Sequence, residues 1–244
     1  MTTPTLTLCE LGDATPHGVE SYSPFCLKVH RALRLAGLSY QRRHGAPHSF
    51  RDLNPAGQVP VLLVGDTPVA DSTRILARIE ALVPGTIARD AEALLWEELA
   101  DTSLSAFLVA SRWADDRNWP GVRDAYFAGV PALVRPAVAG SIRRGILASL
   151  RAREVWRTGP DACWTRFQET LDLLEARAPA RGFWVGERVS AADLAIFAQL
   201  RSLQTDLTPW QRDQVASRPR LQAYVARIDA LTTAAGSVLL HAAA

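Results

Sequence analysis

Residues 21 to 26 read Ser-Tyr-Ser-Pro-Phe-Cys, the spacing of a C-x-x-C redox site with a hydroxyl in place of the first, attacking thiol. The pair Ser23-Pro24 also has the form of a helix N-cap followed by a first helical residue, and Phe25, Val29, Leu33 and Ala36 then recur at helical steps before Gly37. A helix N-terminus presents unpaired N–H groups and the positive end of the macrodipole, so a thiolate or carboxylate placed there is favoured. A second such start falls at residues 71 and 72, where either Asp71 or Ser72 caps a helix carrying Ile75, Leu76, Ile79 and Leu82 on one face. If the strands bring both starts to one sheet edge, one stabilises a sulfur anion while the other holds a carboxylate, which suits an acidic peptide thiol. Cys26 falls in the first helical turn, where the dipole lowers the pKa of an exposed thiol; facing inward it is a small apolar residue.

The elements that must position these groups divide into two halves. Residues 5 to 9 alternate polar and apolar, the period of a half-buried strand, and residues 11 to 20 read as a loop. After the first helix come a short strand at 38 to 43, a β-branched strand at 59 to 64 with Pro60 at its head, a GDTP turn and a short partner strand. The order is strand, helix, strand, loop, strand, strand, helix. Beyond Val83-Pro84-Gly85 strand signals almost vanish, and periodicity predicts helices at 89 to 113, 122 to 157, 161 to 178, 190 to 206 and 217 to 232. Ser190 and Asp193 form a capping-box-like start, and the apolar run after them predicts the buried central helix.

At 244 residues the chain accommodates two unequal domains, 1–85 and 86–244. A net charge of +2 with 48% hydrophobic residues describes a soluble globular protein and argues against nucleic-acid and membrane partners. Arg31, Arg34, Arg74 and Arg78 read as parts of solvated helix faces. Three cysteines without ligand spacing suggest no disulfide framework and no metal site, and the absence of a leader or a long apolar run predicts a cytoplasmic protein.

The Ser-Pro-Phe-Cys start, Asn-Pro-Ala-Gly-Gln-Val-Pro-Val-Leu at 54 to 62, Asp71-Ser72, and Phe-Trp-Val-Gly-Glu-Arg-Val-Ser-Ala-Ala-Asp-Leu at 183 to 194 together resemble the cytosolic glutathione S-transferase superfamily. Among its groups, the serine-type bacterial enzymes related to β-etherases are the nearest resemblance. This implies α/β plus all-α architecture: a thioredoxin-like domain (βαβ-ββα), then an all-helical one, commonly in a homodimer devoted to detoxification. It implies glutathione as co-substrate, with Val59 and a cis-Pro60 meeting its cysteinyl part and Asp71 and Ser72 its γ-glutamyl end. Most relatives carry glutamate before that serine; here Asp71 is one methylene shorter.

On this reading glutathione supplies the sulfur, and Ser23 keeps it ionised by donating to the charged form. A cysteine at position 23 would instead form mixed disulfides. Tyr22 is the second candidate donor and Cys26 the third. Arg42, Arg43, His44 or Gln58 pairs with the glycyl carboxylate. His44 and His48 are spaced like a metal pair, but Pro47 disfavours the helix that would align them. Among the aromatics Phe107, Trp113, Trp119, Tyr126 and Phe127, Trp113 and Tyr126 are expected to border a small hydrophobic second substrate, since both fall near helix ends. The alternatives are a glutathione-dependent thiol reductase using Cys26 and a non-catalytic transferase-like binding or regulatory module.

Overall fold

The computed structural model describes residues 4–153, 155–233, 236 and 238–240. The first half runs β1 (Leu6–Glu10), α1 (Pro24–Leu35), β2 (Tyr40–His44), β3 (Val61–Val64), β4 (Thr67–Ala70) and α2 (Ser72–Leu82). This is the βαβ-ββα order of a thioredoxin-like unit. β1 pairs with β2 in parallel and with β3 antiparallel, and β4 closes antiparallel on β3. The expected half-buried alternation in the first strand is replaced by near-complete burial, because β1 is central: Leu6, Leu8, Cys9 and Glu10 are all buried.

The second half is helical. A long helix starts with α3 (Ala91–Leu99), passes through a π-helical turn at Ala100–Leu104, continues as α4 (Ser105–Val109) and ends in a second π-helical turn at Ala110–Ala114. The single helix expected over 122 to 157 is two: α5 (Trp119–Tyr126) and α6 (Arg135–Arg153). Gly129 and Pro131 interrupt it, and Pro136 falls in the first turn of α6, where its missing N–H costs nothing. α7 (Pro160–Arg177), α8 (Ala191–Leu203), α9 (Pro209–Ala216) and α10 (Pro219–Thr233) follow. α9 begins at a proline inside a stretch that periodicity left unassigned. A further strand, β5 (Val238–Leu240), pairs in parallel with β2, so the chain returns to the first half's sheet, in the order β4-β3-β1-β2-β5. Three residues are too few for a period-2 signal to stand out. Among the described residues no helix is long and apolar enough to cross a membrane.

α8 joins the two halves. Every residue of it except Arg201 is buried. Its Ala191 and Leu194 pack with the sheet, α1 and α2, while Ala192, Ala195, Ile196 and Phe197 belong to the helical core. Asp193, fully buried, closes the capping box with Ser190 and also accepts from the Trp184 N–H and the Tyr224 hydroxyl, each at 2.7 Å. Asp193→Ala strands the Trp184, Ser190 and Tyr224 donors as well as removing a cap, a cost of about 3 kcal/mol or more. Thermal unfolding checks it: a melting temperature within about 2 °C of wild type would show that the box does not hold α8 in place.

Candidate functional site

The sheet register defines where the site lies. Arg43, Cys9, Val61 and Ala70 form one row of partners across β2, β1, β3 and β4. Both β1 and β4 run antiparallel to β3, hence parallel to each other. Glu10, Pro60 and Asp71, one residue beyond that row, therefore share one edge. α1 and α2 start at this edge because each follows a strand that ends there. The two helix N-termini considered from the sequence are brought together.

At the first of them, Ser23 is the N-cap of α1, in extended backbone (φ −89°), half-buried, its oxygen accepting from the Cys26 N–H at 3.4 Å. Its own N–H donates to the Ser21 hydroxyl oxygen. A serine hydroxyl has one proton and two lone pairs, so acting as a cap does not consume the proton. Cys26, one turn on, is fully buried. Burial first, then the charge of Glu10, push its thiol up to about 12 against hydrogen bonds from Ser23, Leu11 and Ser21, so it is a neutral thiol at physiological pH. Tyr22 turns the other way: its hydroxyl donates to the Ala125 carbonyl at 3.5 Å, and its ring meets that of Tyr126 at 4.5 Å.

At the second N-terminus, Asp71 is the cap and Ser72 the first helical residue. The Asp71 carboxylate accepts from the Arg74 N–H at 3.1 Å. Its φ of 76° is the one positive value at a non-glycine among the described residues, a conformation costing about 1–3 kcal/mol and characteristic of functional sites. Ser72 is buried. Between the two helix starts, the Val59–Pro60 peptide is cis. The ladder begins at Val61, so the Val59 main chain lies outside it. Gln58 is exposed, and its carbonyl accepts from the Asn54 side chain at 2.9 Å. Of the other candidates for a glycyl carboxylate, Arg42 is buried and committed to Glu10, while Arg43 and His44 are exposed. His48 lies in a short 3-10 turn at Pro47–Phe50, and no metal-holding cluster occurs among the described residues.

Trp113 and Tyr126 come together. Their rings meet edge to face at 5.5 Å, with Trp119 and Phe127 completing the cluster around Trp113. Both are half-buried, whereas Phe107 packs wholly inside on Phe167. The wall therefore runs Trp113, Tyr126, Tyr22, and Tyr22 is the residue before Ser23.

Beneath the edge lies ionic structure that periodicity misses. Lys28 donates to Glu97 at 2.9 Å and pairs with Asp101; Glu97 also accepts from the Thr73 hydroxyl. Arg31, read from the sequence as solvated, is buried and pairs with Asp229 at 2.7 Å, and both it and Arg34 reach Glu20. Arg74 and Arg78 are exposed as expected. The clue lay in three cations and a histidine within two turns of a helix that had to pack on both sides.

Comparisons with known proteins identify the family. The family model for the glutathione S-transferase N-terminal domain matches residues 22–82, and that for its C-terminal domain matches 141–227, together more than half of the chain. An isoprene-epoxide–glutathione S-transferase from Rhodococcus sp. (strain AD45) is 22% identical over 86% of this chain and 93% of its own length. Among solved structures, the β-etherase LigF from Sphingobium sp. strain SYK-6 superposes with a TM-score of 0.66 at 22% identity, covering 93% of this chain and 95% of that one. A glutathione S-transferase from Methylobacterium radiotolerans, in complex with glutathione sulfonate, gives a TM-score of 0.57 at 20% identity over 98% of both chains. The chain belongs to the glutathione S-transferase superfamily, enzymes that use glutathione as co-substrate.

Glu10 ties the edge to α1 and makes the fold acid-sensitive. Its carboxylate meets His30 at 3.0 Å, Arg42 at 2.5 Å and His44 at 3.4 Å. Burial alone would raise its pKa, but the facing His30, and hydrogen bonds from His30, His44 and Arg42, hold it well below the usual carboxylate range. A depressed folded-state pKa contributes stability in full above the unfolded value of about 4.3, and loses it as the pH falls toward the folded value. The melting-temperature gap between wild type and Glu10→Gln should therefore narrow between about pH 6 and about pH 3; a gap constant across that range would show that Glu10 is not the group responsible.

Proposed function

We propose that this enzyme activates bound glutathione as a thiolate with the Ser23 hydroxyl and delivers the sulfur to a small hydrophobic electrophile. The observation that carries the reading is the placement of Ser23: a half-buried N-cap whose oxygen faces the start of α1, at the edge shared with Pro60 and Asp71. The helix N-terminus and one hydroxyl proton both favour the charged sulfur. Val59 and Pro60 take the cysteinyl portion, Asp71 and Ser72 the γ-glutamyl end, and Gln58 lies within the same loop for the glycyl end. Asp71 spends one carboxylate oxygen on its own helix and keeps the other for a ligand ammonium. Residues 1–85 would form the glutathione-binding domain and 86–244 the helical one, except that β5 returns to the sheet of the first, in a cytoplasmic homodimer with a detoxifying role.

The second substrate would lie against Trp113 and Tyr126. The Rhodococcus relative is named for an isoprene epoxide and the Sphingobium neighbour for an ether. For this chain the matching chemistry is attack of the sulfur lone pair on an electrophilic carbon as a carbon–oxygen or carbon–halogen bond breaks. Water supplies the proton where an alkoxide leaves. A reductase working through Cys26 is disfavoured, since that thiol is fully buried and protonated at neutral pH.

Ser23→Ala should lower kcat/KM with a chloronitrobenzene electrophile by about 100-fold, in the range lost with one donor to developing charge. Calorimetric affinity for glutathione should stay within about threefold, because the tripeptide's other anchors persist. Turnover equal to wild type would remove Ser23 from the chemistry. Cys26→Ser should keep at least about half of the wild-type kcat, as a buried neutral thiol has no catalytic duty; loss of all turnover in a folded Cys26→Ser protein would reinstate the cysteine.

A further inference from the structure

Arg112 is the odd member among the buried cations of the described residues. Lys28, Arg31 and Arg42 are buried, and each lies within salt-bridge distance of a carboxylate. Arg112 is 2% exposed, and among the described residues no carboxylate pairs with it. Its guanidinium donates to three neutral oxygens on three separate elements: the Tyr22 carbonyl, the Tyr126 phenol oxygen at 2.7 Å, and the Ser202 carbonyl of α8 at 2.9 Å. Its Nε is buried without a partner. Burying a cation without a counter-charge is expensive, and a pure packing role would be served more cheaply by an apolar side chain of the same length.

Where Arg112 sits gives that cost a purpose. It lies in the second π-helical turn, Ala110–Ala114, where the Asp115 N–H reaches five residues back to the Ala110 carbonyl. Such turns shift the register of a helix and recur at functional sites. This one sends consecutive side chains to two duties: Arg112 inward, Trp113 into the aromatic wall. The Tyr22 carbonyl belongs to the peptide that enters Ser23, so holding that oxygen sets the plane from which the Ser23 backbone and its hydroxyl depart. The Tyr126 hydroxyl bridges the same two groups, accepting from Arg112 and donating to the Tyr22 carbonyl at 3.3 Å.

We propose that Arg112 is a positioning residue for glutathione activation: through the Tyr22 carbonyl it orients the Ser23 hydroxyl toward the sulfur, through Tyr126 it holds the second-substrate wall against the same turn, and its uncompensated charge favours the thiolate. A planar fork is needed because one terminal nitrogen meets the Tyr22 carbonyl and the Tyr126 hydroxyl while the other meets the Ser202 carbonyl, which an ammonium on a flexible stem does not do. The inference rests on the Ser23 reading, and the following test separates the two.

The ultraviolet absorbance of the thiolate is titrated in the glutathione complexes of wild type, Arg112→Met, Arg112→Lys, Tyr126→Phe and Ser23→Ala, alongside kcat and KM. Arg112→Met should raise the titration midpoint by about one pH unit and lower kcat about tenfold, with KM for glutathione within about threefold. Arg112→Lys, which keeps the charge and loses the fork, should move the midpoint by less than half as much. Tyr126→Phe should move it in the same direction as Arg112→Met. A midpoint shifted by Ser23→Ala but unmoved in a folded Arg112→Met protein overturns the role of Arg112 and leaves Ser23 standing. A midpoint unmoved by Ser23→Ala overturns the Ser23 reading, and the route through the Tyr22 carbonyl falls with it. Should Arg112→Met not fold, Arg112→Lys and Tyr126→Phe decide: a midpoint unmoved in both overturns the proposal.

Discussion

Everything at the site depends on where α1 is held, and α1 is held by charge. Within about one turn it buries Lys28, His30 and Arg31, and a carboxylate from a different element answers each. Glu97 and Asp101 come from the long helix, Glu10 from β1, and Asp229 from α10, with Glu20 added from the loop before α1. Apolar packing alone would tolerate a slide or a small rotation of this helix. Polar pairings in three directions do not, because misplacing Lys28 or Arg31 leaves a buried charge unanswered at a cost of about 3–5 kcal/mol. The result is an N-terminus fixed against both the sheet and the helical half.

The fixed end matters because the sheet brings other groups to meet it. With β1 and β4 parallel and β3 reversed between them, Glu10, Pro60 and Asp71 fall along one edge by strand direction and register alone. The positive φ at Asp71 is a local cost borne there, and the buried pairing beneath it is the kind of surrounding that makes such a cost tolerable: Thr73, two residues on, bonds Glu97, which also bonds Lys28. The first turn of α2 and the second turn of α1 are thus joined through one buried carboxylate.

Much of this was legible in the chain. Ser23-Pro24 marks a helix start by local chemistry, the run VPVLLV marks a strand by composition, and Ser190 with Asp193 marks the capping box; all three are short-range signals, and the elements follow them. The unread features are long-range or lack a pattern. The partners of Lys28 lie 69 and 73 residues away, so Arg31 and its neighbours look like a solvated stripe until the helices are packed. The two π-helical turns have no periodic signature, and the second decides that Arg112 turns inward. β5 is three residues long and needs the edge of β2 to exist as a strand. For the same reason Tyr22, Trp113 and Tyr126 are recognisable singly as aromatics, but only packing lines them up as one wall.

The contrast between Ser23 and Cys26 supports the proposed role of a hydroxyl where a redox protein has its sulfur. Both belong to the same helix start and feel the same dipole, yet the thiol at Cys26 is pushed up to about 12, because burial and the Glu10 charge outweigh the helix end. The macrodipole is worth under about 1–2 kcal/mol, and desolvating a thiolate exceeds that readily. A sulfur that is to be ionised here must therefore sit on the open side of the turn, at the half-buried position of residue 23 or beyond it. If residue 23 supplied the sulfur itself, it would be fixed to the chain and would end in a mixed disulfide. On the proposed reading a hydroxyl there lets the sulfur arrive with a diffusible peptide and leave with the product, while the protein contributes the field, the proton donor and the orientation.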